Sequence, residues 1–268
     1  MFDTEPYRVP ANGEIRLRDR PTDDDGGLKK KEGEKQMESV IERLRDLQEL
    51  LFAEHKQKVL VVLQAMDAGG KDSTIRHVFG PLNPQGCRVV GFKAPTAREL
   101  AQDYLWRIHR HTPRAGHISV FNRSHYEDVL IVRVLNLVPK DRWQRRYEQI
   151  NAFEQMLSDE GTTILKFYLH ISKDYQKQRF QRRLERPDKH WKFNPADLSA
   201  RDRWEDYQAA YEAALSRCST PNAPWYVVPA ECRWFRNLLI ARVLADRLES
   251  LDMKYPEPNF DPASVELE

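Results

Sequence analysis

The sequence is short of cysteine, glycine, long apolar runs and charge of one sign. Its three cysteines, Cys87, Cys218 and Cys232, lie far apart and show no CxxC spacing. That excludes a disulfide framework or a zinc ribbon and leaves reduced thiols, as expected of a cytoplasmic protein. The longest apolar run, Val59 to Leu63, is about five residues, whereas a membrane span needs roughly 20. The first twenty residues carry charges throughout and hold no secretory core. Lys and Arg number 43 against 41 Asp and Glu, a net charge of +2. No bulk basic charge announces a nucleic acid, so any anion-binding surface has to be local. His77, His109, His117, His125 and His170 form no HxxxH pair, and no histidine metal site is expected. Ser124 stands in Asn-Arg-Ser-His rather than in GxSxG, so no serine hydrolase signature is present.

What remains is 268 residues, 40% hydrophobic and 31% charged, a composition suited to one folded α/β domain. Residues 1–35 hold nine acids, eight bases, four Gly and three Pro, and read as a solvated, extended arm, free or draped on the domain. Residues 36–255 read as the main domain and 256–268 as a Pro-containing tail. Five apolar, β-branched runs are predicted as strands: Val59–Met66, Arg88–Lys93, His117–Asn122, Thr162–Ile171 and Trp225–Val228. Helical spacing falls between them, at Trp143, Tyr147, Ile150, Phe153 and Leu157, at Trp204, Tyr207, Tyr211 and Leu215, and at Trp234, Leu238, Ala241, Leu244 and Leu248. The alternation predicts a five-stranded parallel sheet between helical layers, a three-layer α/β/α sandwich. Ligands in such folds bind outside the carboxyl ends of the strands, so the residues after each strand are the ones to read.

After the first strand stands Asp67-Ala-Gly-Gly-Lys-Asp-Ser-Thr74. The chain has 11 glycines, and two adjoin here. Gly69 and Gly70 allow a backbone curl whose N–H groups cradle phosphate, with Lys71 as a point charge and Ser73 or Thr74 as a hydroxyl. The pattern GxxxxGK[ST] would need Gly at 65 and Ser or Thr at 72, where this chain has Ala65 and Asp72. By pattern alone the segment is a phosphate loop or an ordinary βα turn. Asp67 is then a general base, a Mg2+ ligand or a helix cap.

After the third strand comes Phe121-Asn-Arg-Ser-His-Tyr-Glu-Asp128. Glu127 and Asp128 are candidate Mg2+ ligands there, and Arg123 a candidate phosphoryl clamp. The segment could equally be a capped surface turn. From Lys177 to Lys192 seven Lys or Arg face two acids. Arg179, Arg182, Arg183 and Arg186 fall at helical spacing before Pro187, which suggests a lid over phosphates, about 177–197, or a solvated charged face. Arg107, Arg110, His111 and Arg114, with Arg98 and Lys93, could line a channel for an extended polyanion or form a solvated helix end. Trp204, Tyr207 and Tyr211 are expected in the core, whereas Trp191 and Phe193 beside the basic lid are not easily explained as core.

Asp67-Ala-Gly-Gly-Lys-Asp-Ser-Thr74, Lys93-Ala-Pro-Thr96, Phe121–Asp128 and Asp188-Lys-His-Trp-Lys-Phe-Asn-Pro-Ala-Asp197 together resemble the polyphosphate kinase 2 family, over roughly residues 35–255. The resemblance implies a P-loop kinase-like core, like that of thymidylate kinase, with a helical lid. It implies reversible transfer of the terminal phosphoryl group of inorganic polyphosphate to a nucleotide, with Mg2+ and sometimes Mn2+. A homodimer or homotetramer is implied too, with no nucleic-acid or membrane partner. Carried over by position, the catalytic set is Asp67, Lys71 and Arg123, with Asp128 added from the strand-end reading. Ala68, Gly69, Gly70, Asp72, Ser73, Thr74, Asn122, Glu127, Arg179, Arg183 and Lys189 are expected to bind nucleotide and phosphate. Asp67, Glu127 and Asp128 are the expected metal ligands, and Lys93, Arg98, Arg107, Arg110 and Arg114 the expected polyphosphate channel. Many members have Asp where this chain has Asn122 and Asn where it has Glu127. That version resembles the subgroup accepting both AMP and ADP. The competing readings are an ATP-dependent nucleotide kinase on the same core and a non-catalytic polyanion-binding protein.

Overall fold

Apolar β-branched residues on both faces of a strand demand cover on both sides, and four of the five runs find it, while the second, at the sheet edge, stays largely exposed. The computed structural model describes residues 2–11 and 13–265. The strands are β1 (Lys58–Ala65), β2 (Cys87–Gly91), β3 (His117–Asn122), β4 (Thr162–His170) and β5 (Trp225–Pro229). They form one parallel sheet in the order β2-β3-β1-β4-β5, within a residue or two of the predicted spans. β1 lies at the centre and is buried along nearly its whole length.

The helices in chain order are α1 (Lys30–Glu54), α2 (Lys71–Thr74), α3 (Ala97–Leu100), α4 (Trp106–His109), α5 (Ile131–Val134), α6 (Lys140–Asp159), α7 (Lys173–Glu185), α8 (Ala196–Asp202), α9 (Trp204–Arg217) and α10 (Arg233–Glu249). α2 runs on into a π-helical turn, Ile75–Phe79. α1, α10 and that turn pack together on one face of the sheet, and α5, α6 and α9 on the other. Leu44, Leu51, Leu238, Leu239 and Leu244 fill the first interface, and Ile150, Tyr211 and Leu215 belong to the second. The predicted α/β/α sandwich is the architecture observed.

The register sets the site. Leu63 pairs with Asn122 across β1 and β3, and Ala65 with Leu169 across β1 and β4. The segments after β1, β3 and β4 therefore emerge side by side at one sheet edge.

Of the two readings of the amino-terminal arm, the structure has it draped on the domain. Tyr7, Val9, Ile15 and Leu17 are buried. Val9 N–H donates to the Trp225 carbonyl at 2.8 Å, and Leu17 N–H to Glu212 Oε1 at 2.7 Å. A few apolar side chains spaced along a charged segment suffice to pin it to a sheet edge, and α1 then starts at Lys30, inside the span read as arm. The tail ends in a short 3-10 turn, Pro262–Ser264, and its last three residues lie outside the described ones.

Candidate active site

β1 delivers the chain to Asp67, and the loop turns under strain that only a special backbone relieves. Gly70 has φ +101°, and Ala68, with a side chain, is held at φ +65°. A Cβ at Gly69 would sit 2.7 Å from Ala65 Cβ and 2.9 Å from the Met66 carbonyl oxygen, so glycine alone fits this close turn. Non-glycine residues at positive φ cluster at functional sites, and Arg123 after β3 is another, at +64°. The two strained turns face each other: Arg123 Nη2 donates to Oδ1 of Asp67, the neighbour of Ala68, at 3.0 Å. Gln176 of α7 fixes the loop from the other side by donating to the Asp67 carbonyl at 2.9 Å.

Lys71 Nζ donates to the Ala65 carbonyl at 3.1 Å, folded back over the loop. Burial and the neighbouring Arg123 charge lower its pKa below the ordinary lysine value. Burial works against the Arg123 charge too, but Glu127 and Asp67 outweigh it and raise that pKa.

The turn after β3 is ordered from within. Lys166 and Glu154 form a buried ion pair that His125 and Tyr126 join, with His125 Nε2 at 3.0 Å from Glu154 Oε1 and the Tyr126 hydroxyl donating to Glu154 Oε1 at 2.9 Å. Against the burial, Lys166 and His125 hold the Glu154 carboxyl below its ordinary range. His125 and Tyr126 thus point into the core. Glu127 makes no hydrogen bond or ion pair with its carboxylate among the described residues, and its charge acts on Lys71 and Arg123.

Asp128 is a correction. It pairs with Arg146 at 2.8 Å and lies off the wall of the cavity described below. Burial pushes its carboxyl up to about 6, with Arg146 pulling the other way. Adjacent residues on a tight turn point apart, so Glu127 and Asp128 cannot both face Lys71.

The lid is α7, a 3-10 segment (Pro187–Lys192) and α8. Phe180 is buried and meets Phe193 edge-on, with centroids 6.0 Å apart. Trp191 stays 76% exposed. Lys192 Nζ reaches Asp72 Oδ2 at 3.3 Å, and Asn122 Nδ2 donates to the other oxygen of that carboxylate at 3.0 Å, so lid, loop and β3 meet at one group. Arg183 donates to the Lys192 carbonyl at 3.1 Å and pairs with Asp197 at 3.6 Å.

Together these parts enclose a cavity of about 1050 Å3. Eleven Lys or Arg line it against four acids. Of the expected residues, Asp67, Ala68, Gly69, Gly70, Lys71, Asp72, Ser73, Asn122, Arg123, Arg179, Arg183, Lys189 and Lys93 are on its wall. Thr74 is fully buried and off it, because the next helical step turns its side chain inward. Glu127, like Asp128, is off the wall, but its charge acts on Lys71 and Arg123.

Of the five residues expected to form a polyphosphate channel, Lys93 alone is on this wall. Arg107 is buried, with both Nη atoms 3.0 Å from the Lys93 carbonyl. Arg98 and Arg110 lie over the Trp106 ring at 5.8 and 4.7 Å. Arg114 donates to His117 Nε2 at the start of β3, the opposite sheet edge from the loop. The real wall cations that spacing alone did not single out are Arg76 and Arg233. Arg233 opens α10 directly after β5, and the rule that sites gather at strand ends, applied to the fifth strand, points to it.

A phosphate-type loop, an Asp–Arg pair and a basic lid over one cavity narrow the choice to phosphoryl chemistry, and comparison decides the family. Residues 27–256 match the Polyphosphate kinase 2 (PPK2) family. The chain belongs to the polyphosphate kinase 2 family. Among similar proteins, an AMP/ADP-polyphosphate phosphotransferase of Meiothermus ruber is 55% identical over 98% of this chain and 99% of its own length. An ADP-polyphosphate phosphotransferase of Rhodopseudomonas palustris is 46% identical over 95% of this chain and 92% of its own. The crystal structure of polyphosphate kinase 2 from Arthrobacter aurescens TC1 superposes with a TM-score of 0.94 at 41% identity, covering 98% of this chain and 95% of that one. In this polyphosphate kinase 2 chain the Asn122 and Glu127 pair is now placed: Asn122 bonds the loop through Asp72, and Glu127 backs the Lys71–Arg123 charges.

Proposed function

We propose that the chain transfers the terminal phosphoryl group of inorganic polyphosphate to AMP and to ADP, giving ADP and ATP, reversibly. The observation that carries this is the strained loop with its Asp67–Arg123 pair inside a cavity whose walls are mostly Lys and Arg. The Meiothermus ruber relative, named for both acceptors, supports the dual acceptor.

Mg2+, or Mn2+ in its place, fits the oxygen donors present. Among the described residues no three His, Cys, Asp or Glu side chains converge as a cage. Mg2+ is commonly held by one or two carboxylates and substrate phosphates, and Asp67 and Glu127 are the carboxylates in place. Bound there, Mg2+ would neutralise phosphate charge. The chain's own groups supply the rest. The loop amides and Lys71 hold phosphate. Arg123 bears on the transferring group, where charge builds up. Asp67 orients the accepting phosphate, which is largely ionised already at neutral pH. As the new P–O bond forms to the acceptor oxygen, the bond to the bridging oxygen breaks, and the shortened chain leaves with that electron pair. Lid residues Arg183 and Lys189 close over the reaction and exclude water. Trp191 offers the nucleobase an exposed aromatic face, while Arg76, Arg179, Arg182 and Arg233 suit a long polyanion. A cytoplasmic homo-oligomer completes the reading.

The test is incubation with Mg2+, polyphosphate and either AMP or ADP, without ATP, followed by chromatography. ADP from AMP and ATP from ADP are expected. ADP conversion without AMP conversion would remove the dual acceptor, and no conversion by a folded protein that binds polyphosphate would remove the enzyme.

A further inference from the structure

Arg236, on the first turn of α10, is 2% exposed. Its guanidinium fills the space that a side chain at Gly70 would need: a Cβ there would fall 2.1 Å from Nη1. Nη2 donates to Ser73 Oγ at 3.2 Å, and Nε and Nη2 donate to Asn237 Oδ1 at 3.0 and 2.9 Å. Every oxygen it bonds is neutral. Among the described residues no carboxylate lies within ion-pair distance of it; Arg233 and Arg179 add like charge, and the only ionisable groups acting the other way are the Tyr175 hydroxyl and the Cys232 thiol. A buried charge without a counter-charge strongly destabilises a fold, so such groups are normally paired. This one lies directly beneath a loop read as a phosphate site.

We infer that Arg236 is a positioning residue for the donor: it braces Gly70 and Ser73 from below, and its missing counter-charge is the polyphosphate itself. This rests on the proposed function. Three features favour polyphosphate over the nucleotide. Arg233 and Arg179 stand on the cavity wall beside Arg236. Both are arginines, suited to a chain carrying charge on every unit. The exposed aromatic face of Trp191 is carried by the lid, a different element from α10.

The inference separates from a merely structural role, because removing an unpaired buried charge should not weaken the empty protein. In R236M, thermal unfolding without ligand is expected at or above the wild-type temperature. Polyphosphate binding, read by titration with polyphosphate of defined length, is expected to weaken about 10- to 100-fold, with AMP affinity within about threefold of wild type. R236Q keeps hydrogen bonding without the charge and should show the same loss. R236K should restore most of the affinity. Neutral variants that bind polyphosphate as wild type does would overturn the inference. So would both neutral variants failing to fold while R236K folds, since the charge would then serve the fold. Wild type that binds no polyphosphate would count against the proposed function itself.

Discussion

Burial lowers the Lys71 pKa, and Arg123 adds to the effect, so its charge is lost at a lower pH than that of an ordinary lysine near 10.4. The sign follows: phosphate binding by the charged Lys71 is present on the acid side and is lost as pH rises, at a lower pH than an exposed lysine would lose it. K71A is expected to reduce turnover by about two orders of magnitude or more. K71R, whose charge persists, should retain part of the activity and move the alkaline limb of the pH–rate profile upward. A limb that stays put would remove Lys71 from that titration. The neighbouring carboxylates separate just as cleanly. E127Q should raise the Mg2+ concentration needed for half-maximal rate by about 10- to 100-fold, whereas D128N should leave it near wild type. The reverse result would restore Asp128 to the site. At this scale the loop residues were readable because each chemistry needs a residue type at a fixed offset. The choice between Glu127 and Asp128 was not, because it depends on which side of a tight turn faces the Glu154 cluster.

The lid behaves as a unit because its three short pieces share few bonds with the body. Arg183 ties them together through the Lys192 carbonyl and Asp197, and Lys192 ties them to Asp72. These pairs are partly open to water and join short surface pieces rather than core elements, so their removal should spare the fold and alter closure. R183A is expected to keep the melting temperature within a few degrees and to lower transfer by about 10- to 100-fold. It should also raise the ratio of free phosphate released to nucleotide phosphorylated, since water reaches an open site. Unchanged partition between water and nucleotide would argue that Arg183 does not close the lid. The lid was visible in the sequence as a basic helical repeat stopped by Pro187. The four arginines from 98 to 114 had a similar look but were bound by local partners, the Lys93 carbonyl, Trp106 and His117. Spacing cannot separate a cation aimed at a ligand from one that bonds its own backbone.

At the scale of the whole molecule the net charge is only +2, yet one cavity gathers eleven cations. Binding a polyanion there should release counterions. The polyphosphate KM is therefore expected to rise steeply with salt, and the AMP KM far less. Equal slopes would mean that both substrates use the same charges. The sequence by itself determined the five strands, the helices between them, the loop at 67–74 and the lid, because these follow from local periodicity and from glycine, proline and charge at short range. Tertiary structure alone decided the rest. Parallel register brought Asp67, Arg123 and α7 to one edge, placed Arg236 beneath the loop from more than 150 residues away and Arg233 on the cavity wall, and turned Asp128 toward Arg146. It also buried Tyr7, Val9, Ile15 and Leu17 of an arm that composition alone left free or draped. The reason is that burial and ion pairing are properties of neighbours in space, and only the folded sheet sets which residues those are.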